Sequence, residues 1–188
     1  MFLCRLPDFT PGKIIPDMLH LYIGDGKGKS TAAIGLALRA AGAGKKVCFC
    51  QFLKDSKFGC SEEKPLKKAG IVIERFKGQT HPLFDKDGKK SFSTKKSVDA
   101  AFLGIDKIIA GKKFDIIVLD EALNVWGAGL ISGERLYDVA VSAYGRELIL
   151  TGRGAPPALV KLADYVSLIK KIKHPFDKKI FARKGIEY

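Results

Sequence analysis

Apolar positions in this chain gather in short runs separated by stretches where they recur every three or four residues. Leu19-His20-Leu21-Tyr22-Ile23 predicts a strand. After a glycine-broken interval, the alanine-rich segment Thr31–Ala41 predicts a helix ended by Gly42. Val47–Phe52 and Ile71–Phe76 predict a second and a third strand, and Val98–Ala110 a helix on apolar spacing. Phe114-Asp115-Ile116-Ile117-Val118-Leu119 is nearly all apolar, as expected of a strand buried on both faces. Glu147–Thr151 predicts another strand, Ala158–Ala163 a short helix and Tyr165–Ile169 a last strand. Strands alternating with helices predict an α/β fold with a mostly parallel sheet flanked by helices.

At 188 residues and 46% hydrophobic composition the chain suits one domain with a substantial core. Pro7, Pro11 and Pro16 oppose a helix in residues 1–19, which read as an extended arm leading into a domain of residues 20–188. The lysine- and glycine-rich stretch Lys77–Lys96 is the longest expected loop, and long loops in compact domains are often functional. With 33 Lys and Arg against 20 Asp and Glu, the net charge of +13 draws anions, whether nucleotides, polyphosphates or nucleic acid. Most single lysines read as solubilising surface residues, and no basic run with interleaved aromatics marks a nucleic-acid face, so nucleic acid is not an expected partner. Cys4, Cys48, Cys50 and Cys60 match no zinc spacing and read as reduced, partly buried thiols. No apolar run approaches the length of a membrane span and no signal peptide follows Met1-Phe2-Leu3, so a soluble, cytoplasmic protein is expected.

The candidate chemistry begins in the interval after the first strand, Gly24-Asp25-Gly26-Lys27-Gly28-Lys29-Ser30-Thr31. Its spacing, G-x-x-x-G-K-S, is one residue shorter than the usual phosphate-binding G-x-x-x-x-G-K-[ST]. Glycines let the backbone curl around an oxyanion, and the following helix offers its positive end. The position between strand and helix favours that reading over an ordinary glycine-rich turn. Asp120 and Glu121 end an apolar strand expected beside the loop, where they could hold Mg²⁺ with Ser30 or cap the following helix. Arg153, in Thr151-Gly152-Arg153, lies at a strand's carboxyl end, where open α/β sheets bind ligands; a phosphate contact and a surface ion pair are both open to it. His174 either faces the ligand or orders its loop.

Together these motifs resemble the P-loop type of ATP:corrinoid adenosyltransferase. The resemblance runs collinearly from Tyr22 to Tyr188. It takes in the shortened loop, Ala37-Leu38-Arg39-Ala40-Ala41-Gly42-Ala43-Gly44-Lys45-Lys46, Gln51-Phe52-Leu53-Lys54, Val118-Leu119-Asp120-Glu121, Thr151-Gly152-Arg153, Lys173-His174-Pro175-Phe176-Asp177 and Gly185-Ile186-Glu187-Tyr188. It implies a P-loop NTPase-like fold and a reaction in which Co(I) of a reduced corrinoid attacks the ribose C5′ of ATP and triphosphate leaves. It further implies that Gly24, Asp25, Gly26, Lys27, Gly28, Lys29, Ser30 and Thr31 hold the triphosphate with Arg153, and that Ser30 and Glu121 ligate Mg²⁺. Lys29, Glu121 and Asp120 are then the catalytic candidates. ATP and the corrinoid are the implied substrates, with a reductase supplying Co(I) and a homodimer as further expectations. Family members usually carry Gly-Phe-Thr-Trp where this chain has Gly78-Gln79-Thr80-His81, and a shorter Leu-Asn or Leu-Thr after the acidic pair where it has Ala122-Leu123-Asn124. The N-terminal region, often a helix that can cover the corrinoid, is here interrupted by prolines. His81, as a polar group, and Phe84, by apolar bulk, are the candidates to face the corrinoid. The competing class is a P-loop ATPase or a nucleotide-dependent regulator without corrinoid chemistry.

Overall fold

The computed structural model describes residues 17–54, 60–79 and 91–186. In chain order its elements are β1 (Leu19–Ile23), α1 (Lys29–Gly42), β2 (Val47–Gln51), α2 (Glu63–Lys68), β3 (Val72–Arg75), α3 (Ser91–Ala110), β4 (Ile116–Asp120), α4 (Ala122–Gly127), α5 (Gly133–Ser142), β5 (Glu147–Gly152), α6 (Pro157–Leu162) and β6 (Tyr165–Leu168). A 3₁₀ turn follows at Pro175–Lys178. The strands form one six-stranded sheet in the order β3-β2-β4-β5-β1-β6. Every neighbouring pair is parallel.

Alternation along the strands divides the core between the two faces of the sheet. Cys48 and Cys50 of β2, Ile117 and Leu119 of β4, and Leu148 and Leu150 of β5 pack with Phe102 and Ile105 of α3 and Leu136 and Val139 of α5. Val47, Phe49, Val118 and Ile149 point the other way, onto Ala33, Ala37 and Ala40 of α1 and Leu66 of α2. The alanine stripe at spacings of four and three lets α1 lie close to the sheet, which brings its first turn to the carboxyl ends of the strands. Cys48, Cys50 and Cys60 are free thiols, the first two buried.

The sheet and its flanking helices match the expected class, and four helical details differ. The run ending at Ala110 begins at Ser91, so Ser91–Lys96 are helical and not part of the long loop. Phe92 is the one apolar residue in Ser91–Ser97, so these turns carry no apolar period. α2 has one buried residue, Leu66, and contains Pro65. α4 starts directly after β4, so the apolar run of the strand hides it. α5 buries only Leu136 and Val139, and the Ser132 hydroxyl caps it by accepting from Arg135 N. Residues 1–16 of the expected arm lie outside the described residues, and β1 starts at Leu19.

Candidate active site

The glycine loop joins β1 to α1, and its conformation is set by the chain that leaves β6. Gly24 has φ 120, and a Cβ there would stand 2.3 Å from the carbonyl oxygen of Ile169. One on Gly26 would stand 2.8 Å from the same atom. Gly26 N donates to Ile169 O at 2.8 Å and Gly24 N to Arg153 O at 3.2 Å. The Asp25 carboxylate accepts from Lys171 N at 2.9 Å, and that amide holds its carboxyl below the ordinary range. Gly28 differs: it has φ 122, and nothing lies within 4 Å of the Cβ position. It is the N-cap of α1, with no side-chain capping bond. The first-turn N–H groups of Lys29, Ser30 and Thr31 have no acceptor inside the helix, an arrangement suited to oxyanions. Lys29 folds back so that Nζ donates to Gly26 O at 2.6 Å. Burial, then the neighbouring Arg153 charge, lowers its pKa. Ser30 is half-buried, while Lys27 and Thr31 are exposed.

The carboxylates stand one strand further away than expected, because β5 lies between β1 and β4. Thr151 of β5 spans the gap. Its Oγ1 donates to Asp120 Oδ1 at 2.8 Å and accepts from Glu121 N at 2.9 Å. Asp120 is fully buried, and its Oδ2 has no hydrogen-bond partner. Lys54 Nζ stands 3.3 Å from that oxygen and 2.8 Å from Glu62 Oε1. Burial works against the Lys54 charge, but Asp120 and Glu62 outweigh it and raise its pKa well above the usual range. Glu121 sits at the β4–α4 junction with φ 64 and makes no capping bond, so helix capping does not explain it. Burial, then the charge of Asp120, pushes its carboxyl up to about 7. Two adjacent carboxyls, one with a buried oxygen that accepts no hydrogen bond and faces the Lys54 ammonium, and one hard to ionise, form an oxygen-donor set suited to a hard divalent cation.

Thr151-Gly152-Arg153 ties this pair to the loop. A Cβ on Gly152 would lie 2.5 Å from Leu123 Cβ, so only glycine allows α4 to approach β5 this closely. Asn124 Oδ1 accepts from Arg153 N at 2.8 Å. The Arg153 side chain is exposed and makes no ion pair among the described residues. His174 orders its own loop: Nδ1 accepts from Phe176 N at 3.1 Å at the start of the 3₁₀ turn. His81 and Phe84 lie outside the described residues. Lys54, Thr151 and Asn124 were read from sequence as parts of compared segments but given no site role, and Glu62 was not singled out. The available signal was partial: Lys54 and Asn124 follow strands by a few residues, Thr151 stands near the end of one, and nothing local marks Glu62.

The sequence profile of ATP:corrinoid adenosyltransferase BtuR/CobO/CobP matches residues 16–188. The chain belongs to the ATP:corrinoid adenosyltransferase family. It is similar to the corrinoid adenosyltransferase of Pseudomonas aeruginosa, at 29% identity over 91% of this chain and 83% of the relative. It is 30% identical to that of Escherichia coli K12 over 91% of this chain and 85% of the relative. The corrinoid adenosyltransferase CobA of Salmonella typhimurium is also 30% identical, with the same coverage of 91% and 85%. Among solved structures, a KaiC-like protein of Pyrococcus horikoshii superposes with a TM-score of 0.51 at 17% identity, over 82% of this chain and 73% of that one. The flagellar accessory protein FlaH of Methanocaldococcus jannaschii gives 0.50 at 14% identity, over 84% and 73%. These two likenesses support the P-loop NTPase-like fold. Family membership makes the chain a transferase that adenosylates a corrinoid with ATP, and the ATPase or regulator reading is not favoured.

Proposed function

We propose that the loop from Gly24 to Thr31 binds the triphosphate of ATP, with Ser30 and Glu121 as Mg²⁺ ligands and Asp120 as their support. The arrangement of Asp120, Thr151 and Glu121 carries this assignment, because it leaves a buried carboxylate oxygen with no hydrogen bond, faced by the Lys54 ammonium at 3.3 Å, beside a carboxyl that burial makes harder to ionise. Backbone N–H groups at the start of α1 and the Lys29 ammonium take phosphate oxygens, Lys29 giving up its bond to Gly26 O. Arg153 adds charge near Lys29, and Asp25 braces the loop through Lys171.

Co(I) of the reduced corrinoid, as substrate, supplies an electron pair to the ribose C5′. A cobalt–carbon bond forms, cobalt becomes Co(III), and the C5′–O bond breaks with its electrons leaving on triphosphate. The negative charge that builds on triphosphate is what the loop, Lys29 and Arg153 stabilise. Bound Mg²⁺ would supply further positive charge there. No water has to be activated, so the site needs a phosphate cradle and not a hydrolytic base.

A separate reductase generating Co(I), a cytoplasmic location and a homodimer belong to the same proposal. The dimer is supported by β6, which among the described residues pairs on one edge only and exposes Tyr165, Val166 and Leu168. Among the described residues no helix is long and apolar enough to cross a membrane. Anaerobic incubation of the protein with ATP, Mg²⁺ and chemically reduced cobalamin tests the chemistry. The expected product has a light-sensitive cobalt–carbon bond in its absorption spectrum, and a spectrum identical to the protein-free control would contradict the proposal.

A further inference from the structure

Gln79 is 2% exposed, a polar side chain inside the core on the segment that follows β3. Its Oε1 accepts from Leu53 N at 2.9 Å. A backbone N–H can only donate, so the carboxamide is fixed with its oxygen toward Leu53 and its nitrogen away. That nitrogen is buried and has no hydrogen-bond partner among the described residues. A buried amide with unpaired N–H groups is costly, and an apolar side chain of the same size would avoid the cost. The bond to Leu53 N is what such a replacement would lose.

Leu53 itself has φ 52, the left-handed region that a non-glycine residue seldom adopts, and its side chain is buried. The next residue is Lys54, which leaves this bend with Nζ 2.8 Å from Glu62 Oε1 and 3.3 Å from Asp120 Oδ2. The segment carrying Gln79 is anchored in turn, since Ser97 Oγ of α3 donates to Lys77 O. A continuous chain of contacts thus runs from α3 and the segment 77–79, through Leu53 and Lys54, to the carboxylate at the end of β4.

We propose that Gln79 is a positioning residue: its carboxamide holds Leu53 in the left-handed conformation that directs Lys54 onto Asp120, coupling residues 78–79 to the nucleotide site. The inference rests on reading Asp120 and Glu121 as the metal end of that site. Without the acceptor, the buried Leu53 N–H is unsatisfied and the bend loses the bond opposing its relaxation. Lys54 then moves off Asp120, and the carboxylate pair loses the cation that orders it.

Calorimetric titration of the full chain with ATP, with and without Mg²⁺, tests this in Gln79→Leu, Lys54→Met and the double variant. Each single variant is expected to lower Mg²⁺-dependent affinity about ten-fold, and the double variant no more than about twenty-fold, because both act through one contact. A double loss near a hundred-fold would show independent action and overturn the proposal. So would unchanged affinity in Gln79→Leu, or an equal loss without Mg²⁺. A measurement on unsubstituted protein does not depend on any variant folding. Coupling is reciprocal, so Mg²⁺ and ATP together must strengthen the bond from Leu53 N to Gln79 and slow exchange of the Leu53 amide hydrogen by about ten-fold. The Leu148 amide, which donates to Met18 O at the opposite end of the sheet, serves as the unaffected reference. Unchanged exchange at Leu53 overturns the inference. If ATP binds and couples to Leu53 but no adenosylated corrinoid forms, the proposed function fails and this inference stands. If product forms with no response at Leu53, the inference fails and the proposed function stands.

Discussion

Glu121 combines a left-handed backbone, φ 64, with a carboxyl pushed up to about 7, and both follow from its place between a buried strand end and a helix. The ordinary value is 4.5, so between about pH 4.5 and 7 the folded metal-free protein keeps a proton that the unfolded chain has released. Stability from this group is therefore fully present below pH 4.5 and is lost as pH rises through 7, by on the order of 2–3 kcal/mol. Urea unfolding at pH 5, 6 and 7.5 without Mg²⁺ should show that decline, and Glu121→Gln should flatten it; an equal slope in the variant would contradict the assignment. Lys29 gives a second prediction. Its ammonium reaches the loop interior at Gly26 O, and Lys29→Ala removes a charge-assisted contact worth about 1.5–3 kcal/mol, so ATP affinity should fall ten-fold or more. Titration of the folded variant checks it, and undiminished affinity would remove Lys29 from the site.

Thr151 shows what a single strand residue does between elements. It joins β5 to the end of β4 by two hydrogen bonds, one to Asp120 and one from Glu121. Thr151→Val keeps the shape but leaves a buried carboxylate oxygen and a backbone N–H unpaired, which should cost about 2–4 kcal/mol of stability. The midpoint of chemical denaturation would report it, and a loss below about half a kcal/mol would mean that the link is not tight. The strand, loop and helix around Gly24–Thr31 were legible because they are contiguous: an apolar run, a glycine interval and an alanine-rich period follow one another. The acidic pair was legible for the same reason, since it ends the most apolar run in the chain. The insertion of β5 between β1 and β4 was not legible, because local periodicity carries no strand order. α2 and α5 were missed because Leu66, and Leu136 with Val139, are too few buried positions to register a helical period. The contact from Leu53 N to Gln79 spans 26 residues, and only the fold brings them together.

At the scale of the whole molecule, a sheet with both faces covered by helices presents the carboxyl ends of β1, β4 and β5 on one side, and the loop, Thr151 and the acidic pair all collect there. The net charge of +13 gives the molecule as a whole a long-range attraction for a tetra-anionic nucleotide. Association with ATP should accordingly slow as ionic strength rises, which stopped-flow binding between about 20 and 500 mM salt would show. Rates independent of salt would mean that the excess charge lies away from the site. The central claim is that this cradle holds triphosphate as a leaving group and not as a phosphoryl donor. The measurement that tests it most directly is the phosphate inventory after anaerobic turnover with reduced corrinoid, ATP and Mg²⁺. The account predicts one inorganic triphosphate for each cobalt–carbon bond formed, with ATP stable when the corrinoid is withheld; ADP and phosphate as the products, with or without corrinoid, would contradict it.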